Sequence, residues 1–308
     1  MTDLRSTLER YVNMRQGLGY KFQRQAQRLA DFGSFMEKRK AVTITTKLAV
    51  KWATLSPDCH ASWALRLAAV RGFARHIASL NRKTEVPPPG ILPPLKRPKP
   101  YVYTNAEINA LLAAALALPP TDGLRRWTYH CLFGLLAVTG LRLSEATGLQ
   151  RDEVDLEAGV LTVRQSKFGK SRLVPLDLTA CAPLRSYSER RDAHLGSRCG
   201  PHFFVAQSGG RLPQPSIRRV FMQLSHEIGL RRPGDRTGPR IHDFRHRFAI
   251  RTLVGWYREG TDVEKKLLAL STYLGHTRVR DTYWYLSACP ELMQEAARRL
   301  DRRWEAKP

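Results

Sequence analysis

Two arginines, two histidines and a tyrosine in this 308-residue sequence form a set that could carry out phosphoryl transfer. They are Arg142, His242, Arg245, His276 and Tyr285. Arginines clamp a phosphate through paired N–H donors and offset the charge that grows in its transition state. Histidines exchange protons near neutral pH, and a tyrosine hydroxyl can attack phosphorus and hold it as an ester. The set therefore predicts a site that acts on a phosphate, with a tyrosine that could hold phosphorus as a covalent ester.

The segment HDFRH places His242 and Arg245 three residues apart at the start of a predicted helix. At that spacing both side chains project from one helix face, which suits two groups that act on one phosphate. His246 follows Arg245 directly and could exchange roles with His242.

The tyrosine that could act as nucleophile lies in the aromatic run Tyr283, Trp284 and Tyr285. Tyr285 follows His276 by nine residues, and Tyr283 is the alternative nucleophile. Aromatic residues at these positions could also belong to the core.

Five motifs in order carry a resemblance to the tyrosine recombinase (phage integrase-like) family. They are TGLRLSE around Arg142, SKFGKSRLVPL with Lys167, HDFRH at 242–246, LGH at 274–276, and Tyr285 at the family's distance from His276. Together they extend over roughly residues 100–290. A single motif of this kind is weak, whereas five in the right order are specific.

This resemblance implies a mechanism. Tyr285 would form a 3′-phosphotyrosyl bond, and Lys167 would protonate the departing 5′-oxygen, with Lys170 as the competing candidate. His242 would shuttle protons or donate to the phosphate, and His276 would hydrogen-bond it. Because arginines neutralise the phosphate and the ester keeps the bond energy, no metal, cofactor or ATP is expected.

Composition points to a polyanionic partner. The formal net charge is +24 and the pI is about 10.5, which favours double-stranded DNA. Hydrophobic residues make up 43% of the chain, enough for a folded core. Five scattered cysteines without a CxxC pair argue against a disulfide framework. With no apolar run of membrane-spanning length, we expect a cytoplasmic, nucleoid-associated protein.

The first 85 residues are predicted to be a helical DNA-binding domain. Apolar residues at helical spacing predict a helix pair in residues 4–40, with a break at 17–20, and a fourth helix from about residue 61 to 80. Threonine caps predict a third helix at 43–55. The chain before Lys99 carries 18 lysines and arginines against 6 acidic residues, an excess that favours a DNA-facing module. Residues 86–100 contain seven prolines and are predicted to be an extended linker.

Residues 101–308 are predicted to be the catalytic domain, with a tail helix. A capping pattern, Thr104-x-x-Glu107, opens its first helix, and Arg142 follows an apolar helix. Glu145 either orients Arg142 or helps to start the next helix. Residues 154–176 change to strand periodicity with two turns. The chain is therefore expected to be mainly α with a small antiparallel β-sheet, an α+β catalytic domain joined to a helical module.

The tail helix at 291–304 is amphipathic, and it packs either on its own domain or on a neighbouring subunit. The resemblance implies a homo- or hetero-tetramer on DNA through this helix. The predicted function is a site-specific recombinase that exchanges strands between two duplexes, for integration, excision or transposition of a mobile element. The alternatives are a type IB topoisomerase-like enzyme and a catalytically quiet DNA-binding accessory subunit.

Overall fold

The computed structural model describes residues 4–55, 60–79, 81–94, 99–164, 171–235, 237–288 and 290–305 of the chain. These residues fall into two compact units, Met1–Pro98 and Lys99–Pro308. No helix in the described part of the chain is both long enough and apolar enough to cross a membrane.

The described part of the first unit is helical. Its helices are α1 Leu4–Gly17, α2 Gln23–Lys38, α3 Thr46–Ala53 and α4 His60–Ala78. Their apolar faces meet in one core that includes Phe32, Trp52 and Phe73. The Thr45 hydroxyl accepts from the Leu48 amide and caps α3, because the first amides of a helix lack partners within it.

The start of the proline-rich segment packs on the first unit. Val86 and Leu92 contact its core. Arg71 of α4 donates to the carbonyls of Pro87 and Pro88, at 2.6 and 2.9 Å. Prolines lack an amide donor, so these contacts use their carbonyls alone.

The second unit surrounds a small sheet with helices. The helices are α5 Asn105–Leu116, α6 Arg125–Thr139, α7 Leu143–Ala146, α8 Leu178–Leu195, α9 Gln214–Glu227, α10 Asp243–Arg258, α11 Val263–Leu274, α12 Arg280–Ala288 and α13 Pro290–Glu305. The strands are β1 Val154–Asp155, β2 Val160–Val163 and β3 Arg172–Pro175. They pair in the order β1-β2-β3, both pairs antiparallel, with Val163 opposite Arg172. A mainly helical fold with a small antiparallel sheet confirms the predicted fold class.

Within the described residues of the second unit, apolar side chains form two clusters. The larger one joins α5, α6, α8 and α9 to the sheet. The smaller one joins α10, α11, α12 and α13, and it contains Tyr285 and Leu292. Because α10 also packs on α6, it connects the two clusters and carries residues of the candidate site between them.

Local sequence signals set the helix ends near the site. The Thr104 hydroxyl accepts from the Glu107 amide and the Glu107 carboxylate accepts from the Thr104 amide, the predicted capping box of α5. Helix α6 ends at Gly140, which has φ +62°, and α11 ends at Gly275, which has φ +63°. Glycine adopts this left-handed conformation without a steric penalty.

Candidate active site

Three arginines from separate segments meet at the carboxyl end of α11. Each arginine donates to one of three consecutive backbone carbonyl oxygens. Arg172 Nε donates to the Tyr273 carbonyl at 2.6 Å, and Arg142 Nη2 donates to the Gly275 carbonyl at 2.9 Å. Arg245 Nη2 donates to the carbonyl between them, that of Leu274. The last carbonyls of a helix lack partners within it and carry its negative dipole end. The end of α11 therefore gathers three positive charges at one point.

Gly275 is required at this point for two reasons. Its φ of +63° disfavours any residue with a Cβ atom. A Cβ atom there would also lie 2.9 Å from Arg172 Nη1 and 3.4 Å from Arg142 Nη1. The glycine of the LGH motif thus leaves room for two guanidinium groups.

The Glu145 carboxylate lies between Arg142 and Arg172. It accepts from Arg142 Nη1 at 2.7 Å and from Arg172 Nη2 at 2.8 Å, and it also accepts from the Arg142 amide at 3.0 Å. Burial raises the pKa of Glu145, but the hydrogen bonds and charges of Arg172 and Arg142 outweigh burial and hold that pKa at about 2. Glu145 therefore does both things the sequence left open: it orients Arg142 and it caps α7.

Arg245 is the most deeply placed of the three arginines. Its side chain is buried, with 2% of the residue exposed, and Nη1 donates to the Gly140 carbonyl at 2.9 Å. Burial and the neighbouring charge of Arg142 lower the pKa of Arg245 to about 10. The guanidinium is still charged at pH 7, so the site holds a buried positive charge where the dielectric is low.

His242 occupies the N-cap position of α10, one residue before its first turn. Part of the residue is open to solvent, but neighbouring side chains surround the imidazole. Desolvation of the imidazole lowers its pKa, the charges of Arg245, Arg240 and Arg142 lower it further, and Asp243 opposes them. The imidazole is therefore neutral at pH 7 and can donate one hydrogen bond and accept another.

His276 links the LGH turn to the helix that carries Tyr285. Its Nδ1 lies 2.7 Å from the Thr282 hydroxyl, and Thr282 is buried on α12. The rings of His276 and Tyr285 lie 6.2 Å apart between centroids, with 22° between their planes. The turn and α12 therefore bring this histidine and this tyrosine side by side.

The two candidate nucleophiles lie in different environments. Tyr285 is 1% exposed and packs among the histidines, whereas Tyr283 is 50% exposed. The Tyr285 hydroxyl is also close enough to Arg245 for its negative form to raise the pKa of that arginine. The geometry thus favours Tyr285 over Tyr283 as the tyrosine of the cluster.

Two residues of this cluster were not assigned a role in the sequence analysis. Arg172 lies in the SKFGKSRLVPL motif but was not singled out, and its three donors fasten β3 to α11 and to Glu145. His246, which was weighed only as a substitute for His242, places Nδ1 3.3 Å from the Tyr285 hydroxyl. Its position four residues after His242 on a helix was the available signal.

Both candidates for the general acid, Lys167 and Lys170, lie outside the described residues. The neighbouring strand β3 begins at Arg172, whose guanidinium is part of the arginine cluster. The predicted role of Lys167 stays a prediction.

Comparison with protein families identifies the class. A model of the phage integrase family matches residues 102–291. A putative integrase/recombinase y4rB of Sinorhizobium fredii is 49% identical over 311 residues, which cover 99% of each chain. A tyrosine recombinase XerD of Caulobacter vibrioides is 34% identical over 77% of this chain and 73% of that protein. The chain belongs to the phage integrase family: it is a tyrosine recombinase, a DNA strand transferase that acts in site-specific recombination.

Solved structures share the fold. The Tn1549 transposon integrase in complex with transposon right end DNA aligns with a TM-score of 0.70, over 96% of this chain and 98% of that one, at 16% identity. A lambda integrase tetramer bound to a Holliday junction aligns with a TM-score of 0.62, over 91% and 76%, at 20% identity. Neither the topoisomerase-like nor the accessory-subunit alternative is favoured by these comparisons.

Proposed function

We propose that Tyr285 is the nucleophile that cleaves one DNA strand and forms a 3′-phosphotyrosyl bond. The observation that carries this proposal is the position of Tyr285, buried with its ring packed against the rings of His246 and His276. The phenol oxygen attacks phosphorus, the bond to the 5′-oxygen breaks, and that oxygen leaves with a proton. Because the ester keeps the bond energy, the 5′-hydroxyl of either duplex can reverse the step without ATP.

The arginines would stabilise the charge that develops on the phosphate. Arg142 has a partly exposed side chain and can meet the non-bridging oxygens. Arg245 lies beneath it and adds a buried positive charge, which acts strongly at low dielectric. His242 at the exposed edge and His276 beside Tyr285 would donate hydrogen bonds to the phosphate, and Lys167 would protonate the 5′-oxygen.

Substitution of the two tyrosines tests this assignment. Tyr285→Phe should bind DNA like the unmodified chain and form no covalent adduct with it, because only the attacking oxygen is removed. Tyr283→Phe is the matched control, since it removes a hydroxyl two residues away, and it should keep cleavage. If Tyr285→Phe still cleaves DNA and Tyr283→Phe does not, the nucleophile is Tyr283 instead.

We further propose that residues 1–85 bind the duplex together with the catalytic domain. The chain before Lys99 carries 18 basic and 6 acidic residues, and this positive excess supports the role. A chain that neutralises six to ten phosphates loses about 10³- to 10⁵-fold in affinity between 50 and 200 mM salt. Affinity that hardly changes over this range would contradict extensive phosphate contact.

The assembly would be a tetramer on two duplexes, joined through the tail helix at 291–304, and it would move a mobile element. In the structure α13 packs on α10 of its own chain: Arg258 pairs with Glu291 at 2.9 Å and with Glu295 at 3.3 Å, and Leu292 is buried. The Arg258–Glu291 pair is exposed and worth little, whereas Leu292 and the Glu295 carboxylate are buried. Transfer of the helix to a neighbour therefore requires a new site for Leu292 and a partner for Glu295. Sedimentation with and without cleaved DNA tests assembly: the expected species on two duplexes has four subunits, and a single subunit per duplex would refute it.

A further inference from the structure

A histidine outside the six predicted site residues contacts the proposed nucleophile. His246 lies on α10, next in sequence to Arg245, and is 4% exposed. Its Nδ1 is 3.3 Å from the Tyr285 hydroxyl oxygen, and the two rings lie 5.4 Å apart between centroids. The Trp284 ring, 5.2 Å away, and the His242 ring, 4.7 Å away, also pack against it. The imidazole is therefore held in place beside the phenol.

The Asp243 carboxylate lies near the second ring nitrogen of His246. His246 Nε2 lies 4.0 Å from Asp243 Oδ1, and Asp243 is fully buried. Arg240 fixes that carboxylate through its amide at 2.8 Å, its Nε at 3.1 Å and its Nη2 at 2.8 Å. At 4.0 Å the carboxylate does not accept a hydrogen bond from Nε2, but its negative charge favours the tautomer with the N–H on Nε2. That tautomer leaves the Nδ1 lone pair toward Tyr285.

We propose that His246 is the general base that takes the phenolic proton of Tyr285 during strand cleavage. This inference rests on the proposed role of Tyr285. As the phenol oxygen bonds to phosphorus, its proton moves to His246 Nδ1, and the separate general acid gives a proton to the leaving 5′-oxygen. Strand joining runs in reverse: the 5′-hydroxyl attacks phosphorus and gives its proton back to the general acid, and His246 returns its proton to the departing phenolate.

The surroundings suit this proton transfer. A phenol with a pKa near 10 is almost fully protonated at pH 7, so a base within reach lowers the barrier to attack. The imidazolium that forms is compensated by Asp243 on its own helix. His242 on the same side is neutral at pH 7, and Trp284 and Tyr285 face His246 from α12. His276 is less suited, because its Nδ1 is directed at the Thr282 hydroxyl.

The test compares His246→Asn with the unmodified chain on two DNA substrates. Asparagine keeps a hydrogen-bonding atom near the position of Nδ1 but takes up no proton at neutral pH. The probe is a nicked duplex that carries the cleavage sequence recovered from fragments flanking the gene, made with oxygen or with sulfur at the scissile 5′ position. A thiolate leaving group, with a pKa near 8.5, needs little help from an acid. The sulfur substrate therefore isolates the base.

We expect His246→Asn to cleave both substrates about 10²- to 10⁴-fold more slowly, the usual contribution of a general base. Lys167→Ala, which removes the expected acid, should recover on the sulfur substrate. The rate of His246→Asn should also rise about tenfold per pH unit toward pH 9, because hydroxide must then ionise the phenol. A merely positioning role would lower the rate by a constant factor at every pH.

Several results would overturn the inference. The first is that His246→Asn cleaves the oxygen substrate at the rate of the unmodified chain. The second is that His246→Asn regains the unmodified rate on the sulfur substrate. The third is that its rate is lowered by the same factor at every pH. If His246→Asn does not fold, the test is the pH dependence of cleavage of the sulfur substrate by the unmodified chain. Its cleavage rate should level off with rising pH once His246 is neutral. A rate that rises tenfold per pH unit through pH 9 would exclude His246 as the base. The proposed function fails separately, through an adduct that still forms in Tyr285→Phe.

Discussion

Replacement of Glu145 by glutamine should destabilise the second unit by about 3 kcal/mol. The carboxylate is buried between Arg142 and Arg172, and its pKa is about 2 against an ordinary 4.5. A difference of 2.5 pKa units at 1.36 kcal/mol per unit corresponds to about 3.4 kcal/mol at pH 7. Loss of one partner of a buried ion pair typically costs about 3–5 kcal/mol, in agreement with this magnitude.

The sign of the pH dependence follows from the lowered pKa. Glu145 contributes its full stability above pH 4.5, and the contribution is lost as pH falls toward 2. The difference in unfolding free energy between the unmodified chain and Glu145→Gln should therefore narrow from about 3 kcal/mol at pH 7 to about 1.4 kcal/mol at pH 3. Denaturant unfolding of both proteins at pH 7, 5 and 3 measures this difference in unfolding free energy.

A matched control is Glu189→Gln, an exposed glutamate on α8. It should change stability by less than about 0.5 kcal/mol. A Glu145→Gln cost below about 1 kcal/mol at pH 7, or one that stays constant down to pH 3, would refute the view that this carboxylate holds the two arginines.

Two further substitutions address the arginine cluster. Gly275→Ala should lower the unfolding free energy by at least about 2 kcal/mol, because the new Cβ atom adds a close contact with Arg172 to the strain of the left-handed conformation. Gly229 has a similar φ but open space around it, so Gly229→Ala should lower the unfolding free energy by only about 1 kcal/mol. Denaturant unfolding of both variants measures the two values. Arg172→Lys should cost about 2 kcal/mol and slow cleavage, because an ammonium cannot replace a fork that bridges a carbonyl and a carboxylate. Arg185→Lys is its control, since exposed Arg185 donates to a single carbonyl, and unfolding and adduct formation are measured for both.

These two predictions fail in different ways. Equal costs for the alanines at Gly275 and Gly229 would mean that the arginines move aside freely. Normal cleavage and stability in Arg172→Lys would mean that β3 does not position the cluster.

The fold class and most elements could be predicted from the sequence because their signals are local. The capping box of Thr104 and Glu107 and the apolar helix before Arg142 each depend on residues close in the chain. The packing of α13 on α10 of its own domain, rather than on a neighbouring subunit, could not be predicted from the sequence. An amphipathic stripe indicates which face of a helix is buried but not which surface covers it.

The candidate site was predicted only in part. Its arginines, histidines and tyrosine have side chains whose chemistry is evident from their type and motif. What the sequence could not show is that Arg142, Arg172 and Arg245 all donate to the end of α11, because those contacts join residues 29 to 133 positions apart. The contact between His246 and Tyr285 could not be predicted for the same reason, because the two residues are 39 positions apart.

The central claim is that Tyr285 forms a covalent bond to DNA, and peptide mass after trapping tests it most directly. The protein is incubated with nicked duplexes from a library of fragments flanking the gene, so that the cleaved strand end diffuses away and the adduct accumulates. After denaturation and digestion, the account predicts a nucleotide-bearing peptide modified at Tyr285. An adduct on another residue, or none on DNA that the protein binds, would contradict it.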